Sequence, residues 1–154
     1  MLCLNVLERL ENPVGALETL RRTLKRNGAL VILVPNAPGL YGTLDRSLGH
    51  TRRYNAAMAR RLVESAGFEV ESIGSFNRVA ALPWWAYSRM IGARNISKPV
   101  LKVFDKSVWF WRRLDALMPW PGLSLLVVAR QSSGAVPDAE EREAVGDSTA
   151  RHGN

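Results

Sequence analysis

The stretch Ala29-Leu30-Val31-Ile32-Leu33-Val34-Pro35 is a continuous apolar run, rich in β-branched residues, that a proline ends. Apolar residues at every position are typical of a strand that is buried on both faces of a parallel sheet. The preceding Asn27-Gly28 predicts the end of a helix, with Gly28 in the left-handed conformation. We therefore predict a buried strand over residues 29–34.

A second strand of the same kind is predicted at the start of the chain, where Met1-Leu2-Cys3-Leu4 is apolar on both faces. Between the two runs, Asn12 and Pro13 predict the N-cap and first turn of a helix. The order strand, helix, strand is that of the right-handed crossover unit of a parallel sheet. The apolar face of the helix is predicted to consist of Leu17, Leu20 and Leu24.

A polar, glycine-containing loop is predicted over residues 36–54, and its length indicates a binding or lid role. A helix over residues 55–66 follows, with Met58, Leu62 and Ala66 on its inner face and Gly67 at its end. Residues 68–76 then form a further predicted strand. These elements continue the α/β pattern.

Residues 77–121 are predicted to be a mostly helical insert of two helices, and they hold all five tryptophans. Plain core, a substrate lid and a membrane contact are three open interpretations of this insert. A last apolar strand is predicted over residues 123–129, and the polar segment 131–154 is predicted to be a disordered tail. The second insert helix would carry Leu101, Phe104, Val108 and Trp111 on one side and Lys98, Lys102 and Lys106 on another.

The composition limits the classes of function. The net charge of +7 would attract phosphates, nucleic acid or an anionic membrane, but the arginines are scattered along helices, which argues against nucleic-acid binding. A single cysteine, Cys3, excludes an internal disulfide and a cysteine metal cluster, so no metal site is predicted. A cytoplasmic location, with possible membrane association, fits these features and the lack of a spanning apolar stretch.

Several motifs in a fixed order carry a family resemblance. Asn5-Val6-Leu7-Glu8 follows the first strand, Asn12-Pro13 begins the helix, and residues 30–36 read Leu-Val-Ile-Leu-Val-Pro-Asn. This set resembles the second half of class I S-adenosylmethionine-dependent methyltransferases. The continuation through Gly49-His50-Thr51-Arg52-Arg53-Tyr54 and residues 64–68 to the strand at 122–129 is similar to a bacterial subgroup of type 11/12-like enzymes. The resemblance covers residues 1–130.

The resemblance implies an α/β fold: the second half of a Rossmann-like methyltransferase sheet, with an antiparallel final strand and a helical insert. It also implies that the Gly-rich turn and the acidic residue that hold S-adenosylmethionine would precede Met1. We therefore expect a truncated enzyme whose isolated chain binds the cofactor weakly or not at all. A misplaced start or fragment is the favoured explanation, ahead of a split enzyme completed by another chain and a degenerate remnant.

Cofactor contacts are expected from Asn5, Val6, Leu7 and Glu8. Ligands of open α/β sheets bind outside the carboxyl ends of the strands, and these residues follow a parallel strand. Asn5 offers a donor and an acceptor, and Glu8 can accept from an ammonium or hydroxyl group. The alternative is that Asn5 caps the strand end and Glu8 is solvated. The next residue is Arg9 where the family commonly has histidine, which argues against a base at that position.

His50 is the candidate general base, because it lies in the long loop. Binding of an anion, or a hydrogen bond to the backbone, is an alternative role. Arg52 and Arg53 are candidates to clamp a carboxylate or phosphate of the acceptor, and packing against acidic neighbours is their alternative.

Substrate contacts are also expected from Asn36, Tyr41 and Tyr54, of which the tyrosines would either close over the acceptor or pack within the loop. The implied acceptor is a small molecule or a lipid- or glycan-linked group. The alternative is a second class of function. The chain would then be a non-catalytic binding or regulatory module that pairs with a complementing chain through the open strand edge.

Overall fold

The protein is an α/β structure in the computed structural model, which describes residues 1–86, 88, 113, 115 and 117–131. Two short 3-10 helices, Leu7–Arg9 and Pro38–Leu40, accompany the regular elements. The strands of the described residues are β1 (Leu2–Leu4), β2 (Ala29–Pro35), β3 (Phe68–Phe76) and β4 (Ser124–Gln131). Their α-helices are α1 (Pro13–Thr23), α2 (Thr43–Ser47), α3 (Ala56–Ser65) and α4 (Ala81–Trp85).

The four strands form one sheet in the order β1-β2-β4-β3. β1 pairs in parallel with β2, whereas β4 lies between β2 and β3 and is antiparallel to both. This arrangement confirms the prediction of a partly parallel Rossmann-like sheet with an antiparallel final strand. β1 is an edge strand of this sheet.

Helix α1 begins as its sequence predicts, since the Asn12 side chain accepts a hydrogen bond from the Gly15 amide at 3.0 Å. Its end differs from the prediction. Asn27 has the left-handed backbone, with a φ of 62°, and Gly28 does not. Asparagine tolerates this conformation. Gly28 is instead required for space, because a Cβ there would lie 2.8 Å from the carbonyl oxygen of Lys25.

Helix α3 is capped by Asn55, whose side chain accepts from the Met58 amide at 2.8 Å. The predicted inner face is wrong at Met58, which is 43% exposed. The predicted Ala66 is buried and Leu62 packs against the core, but the buried positions within the helix are Ala59 and Val63, so the stripe is displaced by one residue over its first two turns. Short side chains at these positions allow α3 to lie close to the sheet.

One face of the sheet is covered by α1 and α3, and it contributes most of the core. The other face is different: Leu2 is 68% exposed and Leu4 47%. The prediction that the first strand is buried on both faces is therefore wrong for the described residues, in which no element covers this side of β1. The sheet residues of the core are Cys3, Leu30, Ile32, Val34, Phe68, Leu125, Val127 and Ala129.

The helical insert is represented among the described residues by α4 and by the segment that leads into β4. The predicted second insert helix and the tail beyond Gln131 lie outside the described residues. Gln131 itself belongs to β4, and its side chain donates to the Arg21 carbonyl at 2.6 Å. Among the helices of the described residues, none has the length and apolar character that crossing a membrane would require.

Candidate functional site

The carboxyl ends of β1 and β2 are both followed by residues with left-handed backbone. Asn5 has a φ of 53° and Ala37 a φ of 57°. For alanine this conformation costs about 1 kcal/mol, because its Cβ approaches the neighbouring carbonyl oxygen. Such strained residues cluster at functional sites. The two strand ends are therefore held in a defined shape at the edge where ligands of α/β sheets bind.

The loop over residues 36–54 folds back onto the same edge. Tyr54 forms a parallel bridge with Asn36, and its amide donates to the Pro35 carbonyl at 2.9 Å. The amide and the hydroxyl of Thr51 both donate to the Glu8 carbonyl at 2.8 Å. The loop is thus held against Glu8 after β1 and against Pro35 and Asn36 at the end of β2.

Asp45 is the centre of a buried polar cluster beneath the edge, and the sequence analysis did not assign it a role. It is fully buried in the short helix α2. Its Oδ1 accepts from Arg53 Nε at 2.8 Å and lies 3.2 Å from His50 Nδ1. Its Oδ2 accepts from the Gly42 amide at 3.0 Å and from Trp84 Nε1 at 3.4 Å. One carboxylate therefore joins the loop, α2 and α4.

Arg53 is only 3% exposed and is held from three sides. Besides Asp45, it donates from Nη1 to the Asn36 carbonyl at 2.9 Å, and its guanidinium lies 5.0 Å from the centre of the Trp84 ring. Burial lowers its pKa, and the charge and hydrogen bond of Asp45 oppose that change. Of the two roles that the sequence left open, packing against an acidic neighbour describes its placement.

His50 lies between two carboxylates. Its Nδ1 faces Asp45, and its Nε2 is 3.7 Å from Glu8 Oε1. Glu8 is fully buried, and neither of its carboxylate oxygens has a hydrogen-bond partner among the described residues. Burial raises the pKa of Glu8, while the charges of His50 and Arg9 oppose that effect. The imidazole therefore lies beside a buried carboxyl group whose charged form is destabilised by burial.

The raised pKa of Glu8 predicts a pH-dependent stability. The folded protein binds this proton more tightly than the unfolded chain does. The contribution of Glu8 to the free energy of unfolding is therefore fully present below about pH 4, and it is lost as the pH rises through the raised pKa. Glu8→Gln removes this loss. We expect the unfolding free energy of the variant, relative to the natural chain, to increase as the pH rises from about 4 to 7, measured by urea denaturation. A difference independent of pH, or of opposite sign, would contradict the assignment.

Both candidate tyrosines donate to backbone carbonyls. The buried Tyr54 hydroxyl donates to the Leu7 carbonyl at 3.2 Å, and the half-buried Tyr41 hydroxyl donates to the His50 carbonyl at 3.0 Å. Burial raises the pKa of Tyr54. Their hydroxyl groups therefore fix the loop, Tyr54 to the segment after β1 and Tyr41 within the loop itself.

Arg52 and Asn36 are also engaged with backbone. Arg52 Nη2 donates to the Leu10 carbonyl at 3.1 Å, and Asn36 Nδ2 donates to the Gly122 carbonyl at 2.8 Å. Asn36 is buried, so its amide joins the end of β2 to the start of β4. These polar groups form the frame beneath the edge.

The expected cofactor residues divide into two pairs. Asn5 and Val6 are exposed at the end of β1, where the Asn5 side chain carries an amide donor and acceptor. Leu7 is 1% exposed and Glu8 fully buried. Neither Leu7 nor Glu8 offers surface for direct contact with a ligand, and Glu8 is not solvated either.

An apolar cavity of about 510 Å³ opens beside the end of β2. It is lined by the residues after β2, one side of α4 and the segment before β4. Because these segments lie far apart in the sequence, sequence reasoning missed the cavity. Trp120 is fixed in its wall, since its Nε1 donates to the Arg78 carbonyl at 2.7 Å. The lining residues are Ala37, Pro38, Gly39, Leu40, Ala81, Leu82, Trp85, Trp120 and Pro121.

Comparison with known proteins shows similarity at the level of the fold. No protein-family profile matches the sequence, and no curated protein matches it significantly. A Bacillus halodurans protein assigned as a methyltransferase is similar, with a TM-score of 0.50 and 19% identity over 86% of this chain and 68% of its own. An S-adenosylmethionine-dependent methyltransferase from Mesorhizobium loti is similar, with a TM-score of 0.50 and 11% identity over 84% of this chain and 60% of its own. The described residues thus have the fold of part of a Rossmann-like methyltransferase.

Proposed function

We propose that this chain supplies the acceptor-binding part of an S-adenosylmethionine-dependent methyltransferase, whose acceptor is a small molecule or a lipid- or glycan-linked group with an apolar portion. The methyltransferase-like fold supports the reaction class. The acceptor class is supported by the apolar cavity, whose lining begins at Ala37, two residues after the carboxyl end of β2. Ligands of open α/β sheets bind at this edge, and apolar cavities of this size suit small-molecule ligands.

Cofactor binding in this proposal uses Asn5, whose exposed amide can pair with a polar group of S-adenosylmethionine at the end of β1. The cofactor supplies the methyl group on a sulfonium, and the protein aligns the acceptor for in-line attack. Val6 adds apolar contact. The remaining cofactor contacts are proposed to come from a segment outside residues 1–154.

His50 remains the candidate base for an oxygen or nitrogen acceptor. Asp45 fixes one ring nitrogen, so the imidazole has a defined orientation, and 11% of its side chain is exposed. Its other ring nitrogen lies 3.7 Å from the buried Glu8 carboxyl group. Arg52 and Arg53 contribute to the frame of the site rather than to direct contact.

The test of this function is to block the cavity. Gly39 lines it, and a Cβ at this position would meet nothing within 4 Å, so Gly39→Trp adds an indole at the cavity wall without a backbone clash. Cells of the organism that encodes the chain would be given methyl-labelled methionine, with the gene deleted or restored. We expect restoration to add a labelled product to the organic-solvent extract, and Gly39→Trp to reduce that product at least about tenfold.

The matched control is Ala57→Trp, which places the same side chain on the exposed surface of α3. It should leave the labelled product within about twofold of the natural chain, because α3 does not line the cavity. Equal loss in the two variants would assign the effect to folding. A deletion that changes no labelled product would contradict the methyltransferase proposal.

A non-catalytic module that pairs with another polypeptide is a second candidate, and the open edge of β1 favours it. Leu2 and Leu4 are exposed there, next to backbone groups with no neighbouring strand among the described elements. This function predicts binding without labelled product.

A further inference from the structure

The wall of the apolar cavity continues outward onto the surface of the protein. Leu82 and Trp85 lie on α4, line the cavity and are 53% and 40% exposed. Pro38 and Pro121, which line the cavity from the segments after β2 and before β4, are exposed as well. The mouth of the cavity is therefore itself apolar.

The turn before β4 adds another large apolar side chain to this surface. Leu117 is 74% exposed, the largest exposed fraction among the large apolar residues that the structure describes. Its turn is held against the segment that leads into α4, because Asp115 accepts from the amides of Asn77 at 2.9 Å and Val79 at 3.0 Å. The position of Leu117 is thus fixed near the start of α4. The exposed apolar residues Pro38, Leu82, Trp85, Leu117 and Pro121 are called the apolar rim.

The segment that carries most of the apolar rim is strongly basic. Residues 77–121 contain eight lysines and arginines, two aspartates and no glutamate, a net charge of +6, whereas the rest of the chain contributes +1. The same segment contains all five tryptophans. Basic residues attract the anionic headgroups of a bilayer, and tryptophan favours the boundary between headgroups and acyl chains. The charge of this segment is therefore complementary to an anionic lipid surface.

The side chains of the apolar rim offer almost no hydrogen-bonding groups. Leucine and proline side chains have none, so the indole of Trp85 carries the one polar atom among the five. Trp120, which lines the cavity behind the rim, uses its ring nitrogen on the Arg78 carbonyl at 2.7 Å. Acyl chains form no hydrogen bonds, whereas a protein interface of ordinary size contains about ten. The chemistry of the rim therefore fits a lipid surface better than a protein partner.

We propose that the apolar rim docks on an anionic lipid bilayer, with Leu82, Trp85 and Leu117 inserted among the lipids and the cavity open toward the acyl chains. For the role of the cavity this inference rests on the proposed function: the methyl acceptor is then an amphiphile of the membrane, whose apolar portion passes from the bilayer into the cavity without crossing water. The docking itself requires neither cofactor nor acceptor.

The test is flotation of the purified full chain with vesicles of equal parts phosphatidylcholine and phosphatidylglycerol, without cofactor or acceptor. We expect the chain to float with these vesicles, and its partition constant to be at least about tenfold lower for phosphatidylcholine alone. The double variant Leu82→Glu, Leu117→Glu should lower the partition constant for the mixed vesicles at least about tenfold, because the added charges oppose insertion. Both positions are exposed, and an unchanged circular dichroism spectrum excludes loss of the fold.

The matched control is Leu2→Glu, which adds the same charge at a residue that is 68% exposed, lies at the start of β1 and does not line the cavity. This variant should leave the partition constant within about twofold of the natural chain. If Leu2→Glu lowers vesicle binding as much as the double variant does, the contact lies on the sheet and the proposal is overturned.

A second measurement uses the natural chain. Because all five tryptophans lie in residues 77–121, tryptophan fluorescence reports this segment alone. We expect vesicles with bromine on their acyl chains to quench this fluorescence relative to the same vesicles without bromine. Absence of flotation, flotation without quenching, or a dimer that forms without vesicles and is lost in the double variant would each overturn the proposal.

The outcomes separate this inference from the proposed function. Vesicle docking by a chain whose deletion changes no labelled product would support the docking surface and contradict the proposed methyl transfer. Labelled product from a chain that does not float with vesicles would overturn the docking surface alone.

Discussion

Asp45→Ala should destabilise the fold by about 3–5 kcal/mol, measured as the unfolding free energy in urea. The carboxylate is fully buried and is the partner of a guanidinium that is itself 3% exposed. Its removal leaves the charge of Arg53 inside the protein without a counter-ion. It also removes the acceptor of the Gly42 amide and of the Trp84 ring nitrogen.

Glu64→Ala is the matched control, because Glu64 also pairs with an arginine, Arg60, but at the surface. There the two side chains are 48% and 50% exposed, and we expect a loss of about 0.5 kcal/mol or less. The double variant Asp45→Leu, Arg53→Met should recover part of the stability, since buried pairs are often replaceable by apolar groups. A loss below about 1 kcal/mol for Asp45→Ala would show that Arg53 is hydrated in solution.

The strands and the cap of α1 could be predicted because their causes are local. The apolar run that forms β2 and the Asn12 cap each depend on neighbouring residues, and the structure has both. The inner face of α3 could not be placed to one residue, because the contact with the sheet selects the short side chains of Ala59 and Val63. Whether the outer face of β1 is covered depends on the elements that pack against it. The sequence of β1 does not specify those elements.

The location of the candidate site could be predicted from the sequence. The roles of its individual residues could be predicted less well. Sequence reasoning placed the end of β1 at the ligand edge of the sheet, and the contact between Thr51 and Glu8 brings the loop over residues 36–54 to the same edge. It could not distinguish an arginine that faces a ligand from one that faces Asp45, because both occur in polar loops. The signal that was available is the aspartate itself, eight residues before Arg53 and five before His50.

The frame beneath the edge and the cavity beside it meet at Gly122. The Asn36 side chain donates to the Gly122 carbonyl at 2.8 Å, and the next amide, of Leu123, donates to the Asn77 carbonyl at 3.1 Å. Pro121, immediately before it, lines the cavity. The ends of β2 and β3 and the start of β4 are therefore joined at one buried glycine.

Gly122→Ala should destabilise the protein by about 3 kcal/mol or more, measured by urea denaturation. A Cβ at this position would lie within 3.0 Å of the backbone nitrogen, carbon and oxygen of Phe76, and a backbone cannot rotate away as a side chain can. Gly74→Ala is the matched control. Gly74 lies in β3, two residues before Phe76, and a Cβ there would meet nothing within 4 Å. This variant should change the free energy of unfolding by no more than about 1 kcal/mol in either direction. If the two variants are equally stable, Gly122 does not lie against the Phe76 backbone in solution. In that case the contact at Gly122 does not fix the cavity wall at Pro121.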